Sequence, residues 1–218
     1  MFNNCNPTTN GEFRFYTSIR NKINTIFDVG SRSDSEFTSF NGVVHYFEPV
    51  KEFIDMLASQ KNENSSKYFN NFGLGNENTE IFYYPRYQSF YDRVISCHHS
   101  DASNKVLLKI RKAKDYIVEH NIAEIDFVKI DTEGYELNVM QGFEDYLSRI
   151  KILQFEYGGT FLDNKIKLID VIHYLESYGF HKFSYLIPEG TSLITDFTDH
   201  YKYCNIVCIN KSSDIIPF

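Results

Sequence analysis

Apolar positions along the chain fall into two kinds of run. Short β-branched or aromatic stretches alternate with longer segments whose apolar residues recur every three or four positions. Thr25 to Val29 (TIFDV) is apolar except for Asp28, the pattern of a strand buried on both faces, and Val43 to Phe47 (VVHYF) is a second such run. Pro49 then stands where a first helical turn tolerates proline, and Phe53, Ile54, Leu57 and Ala58 form a helical stripe up to Gln60. Lys61 to Lys67 is a polar loop and Tyr68 to Phe72 a third strand. After the turn-rich GLGNENT, Ile81 to Tyr84 reads as an added strand.

The same alternation continues. Val106 to Ile110 alternates weakly, Ala113 to His120 is helical in pattern, and Ile125 to Ile130 (IDFVKI) is the next clear strand. Tyr135 to Leu147 carries Leu137, Met140, Phe143, Tyr146 and Leu147 at helical spacing. Ile150 to Tyr157 is a further strand closed by Gly158 and Gly159. Asn164 is placed to cap a helix with Ile166, Ile169, Ile172 and Leu175 on one face, and Gly179 suits its C′ position. Phe180 to Leu186 and Tyr203 to Ile209 complete the strands. No repeat or linker interrupts the chain, so residues 1–24 are expected to be an extension packed on the core of a single domain, 25–218. Alternating β and α units predict an α/β fold, a mainly parallel sheet with helices on both faces.

Composition narrows the function classes. At 218 residues, 42% hydrophobic and 23% charged, the chain is ordinary for a globular domain, which excludes disorder and a disulfide-stapled mini-protein. A formal charge of −7 argues against a nucleic-acid partner, since gripping phosphates takes Lys and Arg. The basic run Lys105 to Lys114 reads as an element with a solvated face. No apolar stretch approaches the roughly 20 residues of a membrane span. The N-terminus (MFNNCNPTTN) lacks the apolar core of a signal peptide, and four cysteines read as reduced thiols in a cytoplasmic setting.

In such a sheet, ligands bind beyond the carboxyl ends of the strands, near the switch in strand order. Asp28, Gly30 and Ser31 follow the first strand. Glu48 follows the second, about 20 positions beyond Asp28, where a carboxylate suits two ribose hydroxyls. An acidic residue at that place is equally well a helix cap. The three-glycine dinucleotide fingerprint is absent: the first turn reads GSRSDS, and Gly73-Leu74-Gly75 is followed by a polar turn and a strand. A nucleoside without a pyrophosphate fits better than a dinucleotide.

Three stretches carry a family pattern: IFDVG at Ile26 to Gly30, VHYFEP at Val44 to Pro49, and above all IDFVKIDTEGYE at Ile125 to Glu136 running into LNVMQGF. With FGLGNEN and LQFEY (Leu153 to Tyr157) in the same order, the chain resembles the FkbM family of S-adenosylmethionine-dependent methyltransferases. The resemblance implies a class I methyltransferase (Rossmann-like) fold with a seven-stranded sheet and S-adenosyl-L-methionine as cofactor. It also implies O-methylation, by family habit of a sugar hydroxyl in glycan or nucleotide-sugar biosynthesis. Asp28, Gly30 and Ser31 would line the methionine side, Glu48 would hold the ribose, Gly73, Leu74 and Gly75 would lie beside the adenine, and Asp131 would border the methyl group. One position departs: Asp34 stands where the family usually has a second glycine. A side chain there is expected to weaken or redirect cofactor binding, which makes a non-catalytic binding module in a glycan-synthesis assembly the competing reading.

A hydroxyl acceptor benefits from a base that takes its proton as the new bond forms. Asp131, Glu133, Glu136 and Glu156 are the carboxylates at strand ends, with Asp131 and Glu133 the first choices. Capping and dipole compensation account equally well for Glu133 and Glu136. The same carboxylates match the oxygen ligands of a divalent ion, but no other feature of the sequence demands one, and the expectation is of no metal. Cys97-His98-His99 and the His200, Cys204, Cys208 set do not match the paired short spacings of structural zinc. His99, with His98, is the further base candidate, against a solvated loop histidine. The cluster Tyr83, Tyr84, Tyr87, Phe90 and Tyr91 is either a floor for a sugar ring or packing under a loop.

Overall fold

The computed structural model describes residues 2–60, 66–85, 90, 105–215 and 217. Its elements in chain order are α1 Glu12–Ile19, β1 Thr25–Val29, β2 Val43–Phe47, α2 Lys51–Ala58, β3 Lys67–Asn70, β4 Gly73–Gly75, β5 Thr79–Tyr83 and β6 Val106–Lys112. Then follow α3 Ala113–Glu119, β7 Ile125–Ile130, α4 Glu136–Gly142, a 3-10 helix Glu144–Arg149, β8 Ile150–Tyr157, α5 Gly159–Asp163, α6 Leu168–Ser177, β9 Phe180–Ile187, β10 Gly190–Leu193 and β11 Cys204–Asn210.

The main sheet has eight strands in the order β10-β9-β11-β8-β7-β1-β2-β3. Strands β3, β2, β1, β7 and β8 pair in parallel, and β11 runs antiparallel to both β8 and β9. Seven of these are the expected strands. The eighth, β10, folds back on β9 with Gly190 opposite Ile187. Its sequence, GTSL, has no apolar alternation to announce it. A second sheet, β4-β6-β5, joins the glycine stretch Gly73–Gly75 to the basic run. Gly73-Leu74-Gly75, expected as a turn, is therefore a strand.

Continuous apolar runs arise because successive residues of the central strands enter opposite cores. Phe27, Val128, Leu153 and Cys208 join the core with α3, α4 and α6, while Ile26, Phe127, Ile152 and Val207 join that with α1 and α2. Helix α1 follows from EFRFYTSI, whose Phe15, Tyr16 and Ile19 are buried. The basic run, the central strand of the second sheet and the start of α3, has a solvated face: Arg111 pairs with Glu119, and Lys112 and Lys114 with Glu144.

Three helix boundaries differ from the sequence expectation. The Tyr135–Leu147 stripe breaks at Phe143 into α4 and the 3-10 helix. Gly142, at the end of α4, packs so closely on β4 that a Cβ would overlap the Gly75 carbonyl oxygen. Asn164 ends α5 instead of capping α6, and its side chain donates to the Gly134 carbonyl at 2.7 Å. The α6 amide of Leu168 is instead met by the Asp199 carboxylate at 2.8 Å, from 31 residues away, which no local pattern reveals. Pro49 likewise lies ahead of α2, whose N-cap is Val50.

The switch in strand order falls between β1 and β7. There the ladder runs past the strand ends, with the Gly30 amide on the Phe47 carbonyl and the Asp131 amide on the Val29 carbonyl, both at 2.9 Å. Gly30 has φ 84°, and a Cβ on it would overlap the Asp131 carbonyl oxygen. Glycine is required here for both reasons.

Candidate active site

A cleft opens at this switch point, beyond the carboxyl ends of β1, β2 and β7. Gly30 and Arg32 after β1, Glu48 after β2, Gly73 and Leu74 of β4, and Asp131 and Glu133 after β7 line it. Its remaining walls are largely apolar, including Val50, Phe53, Ile110, Tyr83, Phe90 and Tyr135. Tyr83 and Phe90 are 5.6 Å apart between ring centroids, and Phe90 and Tyr135 5.4 Å. Two members of the predicted aromatic cluster thus face this cleft; Tyr87 and Tyr91 lie outside the described residues.

Glu48 is 4% exposed, and each of its oxygens already accepts one backbone N–H, Oε2 from Arg32 at 3.0 Å and Oε1 from Val50 at 2.8 Å. Glu48 thus ties the turn after β1 to the entry of α2, whose N-cap is Val50 and not Glu48, and it also lines the cleft. Burial pushes its pKa up, and the two amides act against that shift. Each carboxylate oxygen keeps a second lone pair for another donor.

The other side of the cleft is the KIDTEGYE segment. Glu133 at φ 54° and Gly134 at φ 108° reverse the chain after Asp131. Glu136, 1% exposed, anchors this turn: its Oε1 accepts from the Thr132 amide at 3.1 Å, the Thr132 hydroxyl at 3.0 Å and the Gly134 amide at 3.0 Å. Burial pushes the Glu136 carboxyl up to about 7.

A second cleft adjoins the first. Arg32, Asp131 and Glu133 line both clefts, and Cys5, Glu156, Thr160 and Tyr203 line the second. One carboxylate oxygen from each of Asp131, Glu133 and Glu156 lies within 4.8 Å of the others, a spacing that a cation or a shared proton satisfies. Burial, then the Asp131 carboxylate, pushes Glu156 well above the usual range.

Gly30, Glu48, Gly73, Leu74, Asp131 and Glu133 are therefore brought to one cleft. Asp28, Ser31 and Gly75 are not on its wall. Asp28 is 2% exposed and accepts the Ser35 hydroxyl at 2.6 Å; burial pushes it up to about 7 although Lys129 opposes the shift. Asp28 shares the sheet face of Ile26, directed to the core with α1 and α2. Ser31 is buried with no hydrogen-bond partner for its hydroxyl among the described residues, and Gly75 faces Ile110 and Tyr135. Asp34 is exposed in a separate depression with Pro7, Phe13 and Gln60, outside the lining of the first cleft. His99, with His98 and Cys97, lies outside the described residues. His200 contacts the Tyr185 hydroxyl at 3.2 Å, and burial pushes the Cys204 thiol up to about 12 and Cys208 well up, a poor setting for thiolate ligands. Arg32, Thr160 and Tyr203 were not among the expected site residues. Arg32 alone had a local signal, two residues beyond Gly30.

The strand order is that of the class I methyltransferase fold. The Methyltransferase FkbM domain matches residues 28–182, and the chain belongs to that family. It is an S-adenosylmethionine-dependent methyltransferase. No curated protein matches the sequence. Among solved structures, the fibrillarin pre-rRNA processing protein of Methanococcus jannaschii superposes at TM-score 0.51 and 10% identity, covering 94% of this chain and 76% of that one, which shows a shared fold. An rRNA methylase from Streptococcus thermophilus (TM-score 0.49, 8% identity, 89% and 93% covered) is more distant in shape. So is the magnesium protoporphyrin IX methyltransferase from Synechocystis PCC 6803 (0.43, 9%, 92% and 80%). Among the described residues, no helix is long and apolar enough to cross a membrane.

Proposed function

We propose that the chain is an O-methyltransferase acting on a sugar hydroxyl in glycan or nucleotide-sugar biosynthesis, without a resident metal. The observation that carries this reading is that two clefts meet at Arg32, Asp131 and Glu133. In this reading the cleft between Glu48 and Leu74 takes the donor and the cleft with Glu156 and Tyr203 takes the acceptor.

The residues present fit the donor. Glu48, held by two amides, has lone pairs left for ribose hydroxyls, and the apolar walls at Phe53, Leu74 and Tyr135 suit a flat base. When bound, S-adenosylmethionine supplies a methyl group activated by its sulfonium sulfur. The chain's task is then alignment, since bringing two reactants into one geometry removes much of the barrier. Asp131 orients the acceptor hydroxyl and takes its proton as the O–CH₃ bond forms, with Glu133 beside it. A cleft rich in carboxylates offers many acceptors to a neutral polyol and repels a phosphate placed among them, which supports a sugar ring. Asp34, the residue behind the binding-module alternative, is not among the residues lining that cleft, and the catalytic reading is preferred here.

Transfer of labelled methyl from the donor to a panel of free sugars, glycosides and nucleotide sugars tests the proposal. Incorporation stable to base and located on a sugar oxygen is expected, unchanged after exhaustive chelation. Transfer to nitrogen or carbon acceptors alone, or activity lost to chelator and restored by magnesium, would contradict it.

A further inference from the structure

Every residue lining the first cleft lies between Val29 and Tyr135, inside the stretch that the family model matches. The second cleft draws two residues, Cys5 and Tyr203, from outside that stretch. One strap of chain ahead of α1 holds both. The Asn3 amide donates to the Tyr203 carbonyl at 2.9 Å, and the Tyr203 amide donates to Asn3 Oδ1 at 3.0 Å. Asn3 sits at φ 61°, a left-handed conformation that asparagine adopts more readily than most side chains. Phe2 adds ring contacts to Tyr185 and His200, with centroids 5.4 and 4.4 Å away.

The other end of the strap is fixed where it enters α1. A Cβ on Gly11 would overlap the Ile187 carbonyl oxygen. Glu12, buried, meets the Lys129 ammonium at 3.2 Å and accepts from Gln154 Nε2 at 3.0 Å. A carboxylate only accepts, so the Gln154 group facing it is the NH₂, which also donates to Asn205 Oδ1 at 3.2 Å. That leaves the Asn205 NH₂ to donate to the Tyr203 hydroxyl oxygen, at a long 3.4 Å. The Tyr203 O–H proton then has no acceptor among the described residues, and a phenol keeps that proton near neutral pH.

We propose that the strap from Phe2 to Glu12 and Tyr203 form the wall that selects the acceptor, with the Tyr203 hydroxyl donating to a sugar oxygen other than the one methylated. This rests on the reading of the second cleft as the acceptor's. The ionised carboxylates of that cleft accept hydrogen bonds from a polyol but cannot donate to one. Tyr203 supplies a neutral donor beside them. A site that hydrogen-bonds a substrate hydroxyl rejects the analogue lacking it, because the protein group is left unpaired. Asn3 does not line the cleft; it is a positioning residue that acts by holding the Tyr203 backbone.

The test compares each methylated member of the labelled-methyl panel with analogues lacking one of its other hydroxyls. Wild type should disfavour one analogue by about 10-fold in kcat/KM, the upper scale of one neutral hydrogen bond. Tyr203→Phe should lose that preference by becoming slower on the sugar alone, with wild-type affinity for S-adenosylhomocysteine. Asn3→Gly keeps the left-handed backbone and removes Oδ1; it should raise KM for the sugar by about threefold or more with kcat unchanged. Asn3→Asp, which retains an acceptor oxygen, should restore KM. Cys5 reports occupancy of the cleft independently, since it is exposed and lines it. The sugar should slow alkylation of Cys5 by iodoacetamide, read by peptide mass spectrometry. Protection of Cys5 with an unchanged sugar-to-deoxy ratio in Tyr203→Phe would overturn the inference and leave the acceptor cleft standing. An Asn3→Gly KM equal to that of wild type would overturn the strap's part in it. A methylated sugar that leaves Cys5 unprotected, or a panel with no methylated sugar, would remove the acceptor reading and this inference with it.

Discussion

Replacing Glu48 by glutamine separates its two duties, since the change keeps the shape and removes one acceptor oxygen. In the wild type Oε2 serves the Arg32 amide and Oε1 the Val50 amide, at 3.0 and 2.8 Å, in a side chain only 4% exposed. Glutamine presents one oxygen and one NH₂, so one of the two N–H groups must face another donor. Losing a charged hydrogen bond and leaving a donor unmet costs about 2–3 kcal/mol. For a chain of this length that lowers Tm by about 4–12 °C. Binding of the demethylated cofactor should weaken further, because ribose hydroxyls lose a charged acceptor: about 1.5–3 kcal/mol, or 10- to 150-fold in Kd. Thermal unfolding without ligand, followed by titration calorimetry with S-adenosylhomocysteine at a temperature where both proteins are folded, reads the two effects separately. A lower Tm with unchanged affinity would make Glu48 a structural tie only. Unchanged Tm and unchanged affinity would refute the hydrogen-bond reasoning altogether.

Three further outcomes are expected. Gly30→Ala should destabilise by at least about 3 kcal/mol, from strain at φ 84° and overlap with the Asp131 carbonyl; an unchanged denaturation midpoint would contradict the close approach of β1 and β7. Asp131→Asn should unfold at the wild-type temperature but turn over roughly 10²-fold more slowly, and a wild-type rate would move the proton acceptor elsewhere. Asp28 has a folded pKa pushed up to about 7, above that of an unfolded aspartate, so the folded chain holds its proton more tightly. Its stabilising contribution is complete below about pH 4 and is lost as the pH rises to 7, at up to about 1.4 kcal/mol per pH unit. Urea unfolding across that window should therefore show a flatter pH dependence for Asp28→Asn, whereas parallel curves would mean that Asp28 is not protonated in the fold.

Strand positions were legible in the sequence because burial on both faces leaves an unbroken apolar run, as in TIFDV and IDFVKI. The cleft at the switch point was legible for a related reason: its residues sit immediately after strands, where topology alone brings Gly30, Glu48 and Asp131 together. What failed was direction. Asp28 and Gly30 are two apart, but Asp28 ends on the face of the α1 and α2 core, and only the register of β1 between β2 and β7 settles that. Gly75 lies off the cleft wall, where a side chain would meet Ile110 and Tyr135, a packing constraint that leaves the same mark in the sequence as a ligand contact. Capping of α6 by Asp199 is long-range and leaves no local mark. Glu156 was one of several strand-end carboxylates until the sheet placed β8 beside β7.

The central claim is that the donor occupies the β1–β7 switch point. Amide hydrogen exchange of the wild type with and without S-adenosylhomocysteine tests it most directly, because the result locates binding on the chain. Protection is expected at the amides following Gly30, at Val50, around Leu74 and from Thr132 to Gly134. A ligand that binds without protecting those segments, or that protects the depression around His45 and His120 at the opposite strand ends, would contradict the account.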